Sequence, residues 1–267
     1  MSRITNTFTR LKQRGETALI PFITAGDPDL AMTAKLVRTL EASGADLIEL
    51  GMPFSDPMAD GPTIQAASER ALEAGTTLKK VLGLVADIRQ HSQIPLVLMG
   101  YYNPIFCYGP ERFIQDAAAA GVDALLLVDL PPEEAAEISS ILDNAGIALI
   151  TLLAPTTPPE RMKQLAKAAQ GYLYYVSMTG VTGAKKITPE DISAAVTTLK
   201  EMSPVPVGVG FGISTVEEAR AVGEFADGVV VGSALVKIIA EHGQSQELLP
   251  EVAKYISGLK QGLAAVN

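Results

Sequence analysis

Glu49 is a carboxylate inside an apolar segment, "DLIELGMPF" (46–54), that has the composition of a buried strand. Side chains alternate along a strand, so Glu49 shares a face with Leu47 and Gly51. If that face points into the protein, burial raises the pKa of the carboxyl, and the strand interiors offer no Lys or Arg to hold it as a structural ion pair. Such a group can give or take a proton near neutral pH. We therefore predict that Glu49 is a general acid/base.

Two aspartates lie on the loop that follows, "PFSDPMADGPTIQ" (53–65). Asp56 precedes a proline and Asp60 precedes a glycine, and both patterns are ordinary turn chemistry. Their position directly after the strand of Glu49 makes them candidates for a shared site.

Glycines near the end of the chain indicate an anion site. "GVGFGIST" (208–215) carries Gly210 and Gly212, and "VGSALV" (231–236) carries Gly232 and Ser233 at the start of a short helix. Glycines allow backbone N–H groups to approach a ligand closely, and a helix N-terminus favours negative charge. An acidic protein can bind phosphate in this way without a cluster of basic side chains.

The segment "SMTGVTGAKKITPED" (177–191) is rich in Gly and Thr and long enough to form a lid. Gly180 and Gly183 are possible hinges and Thr182 a possible donor to a ligand, although a plain flexible loop fits the same composition. Aromatic residues near the ends of apolar segments could line a flat pocket. They are Phe22, Tyr101, Tyr102 and Phe211.

The elements that must position these residues repeat along the chain. Eight apolar, strand-like segments span 18–26, 46–54, 94–102, 123–131, 147–155, 172–180, 205–213 and 227–235, and helical patterns separate most of them. This predicts a (β/α)8 TIM barrel of the α/β class, as one domain over 1–267, with functional residues at the C-terminal ends of the strands. A doubly wound sheet is the alternative, but "FITAGDPD" lacks the glycine-rich fingerprint of that fold.

One further helix and one helix start can be predicted. Ile4, Phe8 and Leu11 recur at helical spacing in a basic N-terminal segment, which favours a short amphipathic helix over a targeting peptide. Asp27 followed by Pro28 predicts the N-cap and first position of the first crossover helix.

Composition narrows the function. The net charge is −9 with no basic block, which argues against nucleic acid or an anionic membrane as the main partner. Cys107 is the single cysteine, which favours a reducing compartment, and His91 and His242 form no metal-ligand pattern with it. What remains is acid/base chemistry on a phosphorylated small molecule with an apolar group: isomerisation, or aldol-type cleavage without an imine.

Five motifs resemble the tryptophan synthase alpha subunit family over essentially the whole chain. They are "LIELGMPFSDPMADGPTIQ", "LMGYYNPI", "LLLVDLPPEE", "SMTGVTGA" and "GFGIST". The resemblance implies a lyase that cleaves indole-3-glycerol phosphate to indole and glyceraldehyde 3-phosphate in tryptophan biosynthesis. It implies that Glu49 protonates indole C3 and that Asp60, on a solvated loop, accepts from the indole N–H. Further matched residues are Phe22, Tyr101, Leu126, Leu152 and Phe211 for indole and Gly183, Gly212, Gly232 and Ser233 for phosphate. Tyr174 is expected to support the pocket, and Thr182, the possible donor on the lid, is expected to bind substrate.

The resemblance also implies a cytoplasmic α2β2 heterotetramer with a tryptophan synthase β subunit. Pyridoxal phosphate is then expected only in the β partner, and no cofactor or metal in this chain. Asn103 and Pro131–Pro132 match the partner-facing surface, and Asp56 is expected to shape the loop or face the partner rather than catalyse.

Two other hypotheses account for part of the pattern. Another barrel enzyme of phosphorylated metabolites, such as a sugar-phosphate isomerase, explains the phosphate site but not the pairing of Glu49 with the loop of Asp60. A non-catalytic regulatory subunit would keep the phosphate site and tolerate loss of both carboxylates.

Overall fold

The protein is a parallel β-barrel surrounded by helices in the computed structural model, which describes residues 2–131, 133–176, 189–210 and 212–264. All strand pairs are parallel, in the order β5-β4-β3-β2-β1-β9-β8-β7-β6. The strands are β1 (Ala18–Thr24), β2 (Ile48–Gly51), β3 (Leu96–Gly100), β4 (Ala124–Leu127), β5 (Ala148–Leu149), β6 (Thr151–Leu153), β7 (Leu173–Val176), β8 (Val207–Gly210) and β9 (Gly228–Val231).

The fifth predicted strand is interrupted at Ile150, which separates β5 from β6. These two pieces are the opposite edges of the sheet, β5 pairing with β4 and β6 with β7. Because one residue joins the two edges, the sheet returns on itself. The predicted (β/α)8 barrel is therefore confirmed, with one strand divided in two.

The described residues form twelve helices, and none of these is long and apolar enough to cross a membrane. They are α1 (Arg3–Arg14), α2 (Leu30–Ala42), α3 (Pro62–Glu73), α4 (Leu78–Arg89), α5 (Tyr102–Tyr108), α6 (Pro110–Ala120), α7 (Ala136–Ala145), α8 (Pro159–Ala168), α9 (Pro189–Met202), α10 (Val216–Gly223), α11 (Ser233–His242) and α12 (Leu248–Ala264).

The predicted N-terminal helix, α1, closes the end of the barrel where the strands begin. Ile4, Phe8 and Leu11 are buried and share one hydrophobic cluster with interior strand residues. The ring of Phe8 lies 6.0 Å from that of Tyr172 at the start of β7. The opposite end, where the strands finish, is left for the loops that carry the candidate site.

The predicted start of α2 is wrong by two residues. Asp29, not Asp27, is the N-cap, and its side chain accepts a hydrogen bond from the N–H of Met32 at 2.7 Å. Asp27 is instead buried, and Arg70 donates to both of its carboxylate oxygens at 2.8 Å. Asp27 and Asp29 are equally plausible caps from sequence alone. Arg70 of α3 binds Asp27, so Asp29 is left to cap α2.

Three aspartates tie neighbouring strands together at the closed end of the barrel. Each lies just before or at the start of a strand and accepts, through its carboxylate, a backbone N–H of the preceding neighbour strand. A cationic side chain then pairs with the same carboxylate. The sets are Asp46 with Leu19 and Lys260, Asp123 with Leu96 and Arg89, and Asp227 with Val207 and Lys200. Because these bonds set which residues lie opposite one another, they also set the height of the site residues above them.

Candidate active site

Strand register places Glu49 in the barrel interior, opposite Phe22 of β1 and Val97 of β3. Its side chain is fully buried. The hydroxyl of Tyr172 donates to Oε1 at 2.5 Å, whereas Oε2 has no hydrogen-bond partner among the described residues. No lysine or arginine in the described part of the chain forms an ion pair with it.

The surroundings of Glu49 favour its neutral form. Burial raises the pKa of Glu49 to about 8, and the hydrogen bond from Tyr172 opposes this only in part. The pKa values of the Tyr172 and Tyr174 hydroxyls are raised well above their usual range, first by burial and then by the nearby Glu49. A carboxyl in this setting changes protonation near neutral pH, as a general acid/base must.

Sequence reasoning missed Tyr172. The signal was present, because Tyr172 and Tyr174 alternate in "YLYYV" and so share a strand face. What the alternation does not show is that this face meets Glu49 across the barrel, 123 residues earlier in the chain.

Asp60 lies on the β2–α3 loop, which folds over the barrel mouth. The backbone N–H of Ala59 donates to the hydroxyl of Tyr101 at 2.9 Å, and the rings of Phe54 and Tyr101 are 5.3 Å apart. Asp60 is half-buried, although the preceding loop residues Met58 and Ala59 are exposed. Burial raises the pKa of Asp60, while the nearby hydroxyl of Tyr101 opposes the shift. Asp56 on the same loop is exposed and accepts from Ser55 at 2.5 Å.

A small cavity of about 20 Å³ lies beneath this loop. Asp60, Phe22 and Tyr101 line it together, so these three predicted site residues are brought to one place. Glu49 does not line it, although Gly51, two residues further along β2, does. The volume suits a water molecule and is too small for a bicyclic ring.

The other predicted pocket residues lie apart from this cavity. Leu126 and Tyr174 are buried in the interior cluster, and Leu152 packs against it. Leu152 also lines a larger cavity of about 360 Å³, beside the break in the fifth strand, where β4 and β6 do not pair. Thr182, Gly183 and Phe211 lie outside the described residues.

The two predicted glycine segments leave the sheet side by side, because Gly210 of β8 pairs with Val230 of β9. Gly212 follows with a φ of +86°, a conformation that suits glycine. Gly232 caps α11 without any side-chain hydrogen bond, and Ser233 is exposed at its first turn. The N–H groups of this helix end are therefore open to an anion.

The N-terminus of α10, by contrast, is capped by side chains. Thr215 and Glu218 form a capping box on α10, and the Glu218 carboxylate also accepts from the backbone and hydroxyl of Ser214. These bonds lower the pKa of Glu218 and satisfy the donors that an anion would use. Of the two helix ends, that of α11 is the one without a side-chain cap on its backbone N–H groups.

Comparison with known proteins gives a consistent result. The family model described as tryptophan synthase alpha chain matches residues 8–263. The tryptophan synthase alpha chain of Geobacter sp. (strain M21) is 57% identical, with 98% of each chain covered, and that of Citrifermentans bemidjiense is 58% identical at the same coverage. The crystal structure of tryptophan synthase subunit alpha from Legionella pneumophila superposes with a TM-score of 0.91 at 43% identity, covering 99% of both chains. A chain of tryptophan synthase from M. tuberculosis, in its aminoacrylate-bound form, gives a TM-score of 0.87 at 33% identity, covering 98% of this chain and all of that one. The chain belongs to the tryptophan synthase alpha chain family.

Proposed function

We propose that this chain cleaves indole-3-glycerol phosphate to indole and glyceraldehyde 3-phosphate, with Glu49 and Asp60 as its catalytic residues. Family membership makes the chain a lyase of tryptophan biosynthesis. The assignment of roles depends on one observation: two carboxyls, one on β2 and one on the loop that follows it, lie in different surroundings. Glu49 is fully buried with a pKa of about 8, and Asp60 is half-buried on the loop above. Environments of this kind separate an acid from a charge-stabilising group.

The proton balance of a retro-aldol cleavage fits this pair. Protonated Glu49 donates to indole C3, and the ring nitrogen becomes positively charged. Asp60, as carboxylate, accepts a hydrogen bond from that N–H and stabilises the charge. The bond between C3 and the glycerol carbon then breaks, its electron pair restores the aromatic ring, and the glycerol hydroxyl loses its proton as the aldehyde forms. Glu49, left as carboxylate, can take this proton, so the enzyme returns to its starting state.

Two movements must precede this chemistry. Glu49 is directed at Tyr172 and fully buried, so its carboxyl must rotate toward the substrate. The cavity beside Asp60 holds only a water-sized volume, so the β2–α3 loop must open to admit an indole ring. Many enzymes gate catalysis by loop motion of this kind. The phosphate, bound at Gly212, Gly232 and Ser233, would anchor the substrate while the loop closes.

We also propose the β subunit of tryptophan synthase as the partner, in an α2β2 complex. Two large apolar side chains are exposed, Met58 of the β2–α3 loop at 87% and Phe106 of α5 at 65%. Asn103 and Pro131, predicted to face the partner, are exposed as well, and Pro132 lies outside the described residues. Exposed apolar side chains at a loop-bearing face favour a protein interface. The chemistry above needs no cofactor in this chain, and pyridoxal phosphate belongs to the proposed β partner.

The single-domain organisation predicted for 1–267 also stays a proposal. Every described strand belongs to one sheet, which supports it.

Incubation with indole-3-glycerol phosphate, with and without a β subunit, tests the reaction through release of indole. Glu49→Gln and Asp60→Asn should each slow turnover roughly 100- to 10,000-fold, because proton transfer or charge stabilisation is lost. Glycerol phosphate should still bind both variants. Glu73→Gln and Asp87→Asn, which change exposed helix carboxylates, serve as matched controls.

The outcomes separate the three hypotheses. A sugar-phosphate isomerase would release no indole at all. A purely regulatory subunit would also bind phosphate. In that case Glu49→Gln and Asp60→Asn would affect the partner subunit to the same extent as the parent protein does. Normal indole release by Glu49→Gln would rule out the proposed acid.

A further inference from the structure

We infer that Thr24 is a positioning residue for Asp60, because its hydroxyl holds an ordered water molecule that donates a hydrogen bond to the Asp60 carboxylate. This inference rests on the proposed catalytic role of Asp60.

Thr24 is the last residue of β1 and lies opposite Gly51 in the register. By strand alternation it shares the inward face with Phe22, one layer closer to the mouth. Its side chain is almost fully buried, yet Oγ1 has no hydrogen-bond partner among the described residues. Buried hydroxyls are nearly always paired, so an orphan of this kind indicates a water molecule or a ligand at the site.

Thr24 lies beside a space that fits one water molecule. Thr24 lines the cavity of about 20 Å³ together with Asp60, Ser68 and Tyr101. A buried water needs roughly 10–15 Å³ of such volume and two to four polar partners. The cavity meets both conditions, since three hydroxyls and a carboxylate line it. The remaining lining is largely apolar and holds such a water in place.

The polarity of these groups sets the direction of the hydrogen bonds. An ionised carboxylate only accepts, so the water donates to Asp60 and accepts from a hydroxyl. The hydroxyl of Tyr101 accepts the N–H of Ala59 and forms its own hydrogen bond with Asp60, whereas the hydroxyl of Thr24 has no bond in the described residues and is free to donate to the water. A donor to the charged form stabilises it. Through the water, Thr24 thus adds to Tyr101 in keeping Asp60 ionised and oriented against the burial that raises its pKa.

The test compares Thr24→Val, which keeps the β-branched shape and removes the hydroxyl, with Thr24→Ser, which keeps the hydroxyl. The readout is kcat/KM for indole release across pH, because this parameter reports ionisation of the free enzyme. In Thr24→Val the acid limb should move to higher pH, so that kcat/KM falls on the order of fivefold to tenfold on that limb, as a tenfold change per pH unit implies. Near the optimum the loss should be small, and Thr24→Ser should restore the parent profile.

A uniform loss at every pH would show that Thr24 only supports packing, and an unchanged profile would show that it has no role; either result overturns the inference. In an Asp60→Asn background, Thr24→Val should add no further effect, because the two residues act through one group. If Asp60→Asn itself keeps full activity, the proposed function of Asp60 fails. If Asp60→Asn is inactive but Thr24→Val keeps the parent profile, only the present inference fails.

A high-resolution crystal structure of the parent enzyme gives a test that does not require Thr24→Val to fold. Water density within hydrogen-bond distance of both Thr24 Oγ1 and the Asp60 carboxylate is expected. An empty cavity in well-defined density would overturn the inference.

Discussion

Glu49→Gln should make the protein more stable, and by an amount that grows with pH. Burial raises the pKa of Glu49 from an ordinary 4.5 to about 8, so the folded state holds a proton that the unfolded state releases. Ionisation of this carboxyl therefore favours unfolding over that pH range. Glutamine keeps the shape and can still accept the hydrogen bond from Tyr172, but it never ionises. At low pH the two side chains are both neutral and should stabilise the fold equally.

The magnitude follows from the two pKa values. Each pH unit between 4.5 and 8 destabilises the parent by about 1.4 kcal/mol relative to the variant. The difference should be close to zero near pH 4.5, about 3 kcal/mol at pH 7, and about 5 kcal/mol above pH 8. Because a protein is stabilised by only about 5–15 kcal/mol, this is a large part of the total.

Scanning calorimetry of both proteins at about pH 5, 7 and 9 would measure the effect. At roughly 2–4 °C per kcal/mol for a chain of this size, the Tm of Glu49→Gln should exceed that of the parent by about 6–12 °C at neutral pH. Glu217→Gln, at an exposed position on α10, controls for the loss of one surface charge. A Tm difference that stays the same from pH 5 to 9 would refute the argument that burial holds Glu49 neutral.

Three further variants test other parts of the structure. Tyr172→Phe removes the donor that stabilises ionised Glu49, so the pKa of Glu49 should rise above about 8. The basic limb of the pH profile for indole release should then move to higher pH, and a limb that stays in place would contradict this. Asp123→Asn leaves the buried guanidinium of Arg89 without its charge partner and should destabilise the fold by about 3 kcal/mol in urea titrations, whereas a change under about 1 kcal/mol would show that this pair is dispensable. Gly212→Ala places a side chain at a φ of +86°, which should cost about 1 kcal/mol of strain and weaken glycerol phosphate binding by calorimetric titration. Unchanged affinity would argue against a phosphate site there.

Local sequence patterns determined most of the architecture. Apolar segments long enough for strands alternate with helical patterns, and right-handed crossovers between parallel strands leave few topologies. The N-terminal helix followed from Ile4, Phe8 and Leu11 for the same reason, because an amphipathic face must be buried against something. Strand alternation also placed Glu49 on the interior face. These features depend on residues close together in the chain.

Only the tertiary structure decided which of these residues meet. The partner of Glu49 is Tyr172, the partner of Asp27 is Arg70, and Asp60 is half-buried because its loop folds onto Tyr101. Periodicity shows which face a side chain occupies, but not what lies across a closed barrel. The pKa of a carboxyl depends on the water removed around it and on the donors nearby, and both are set by segments distant in sequence. The sequence therefore determined where the carboxyls lie in the chain, and the folded barrel determined their hydrogen-bond partners and their pKa values.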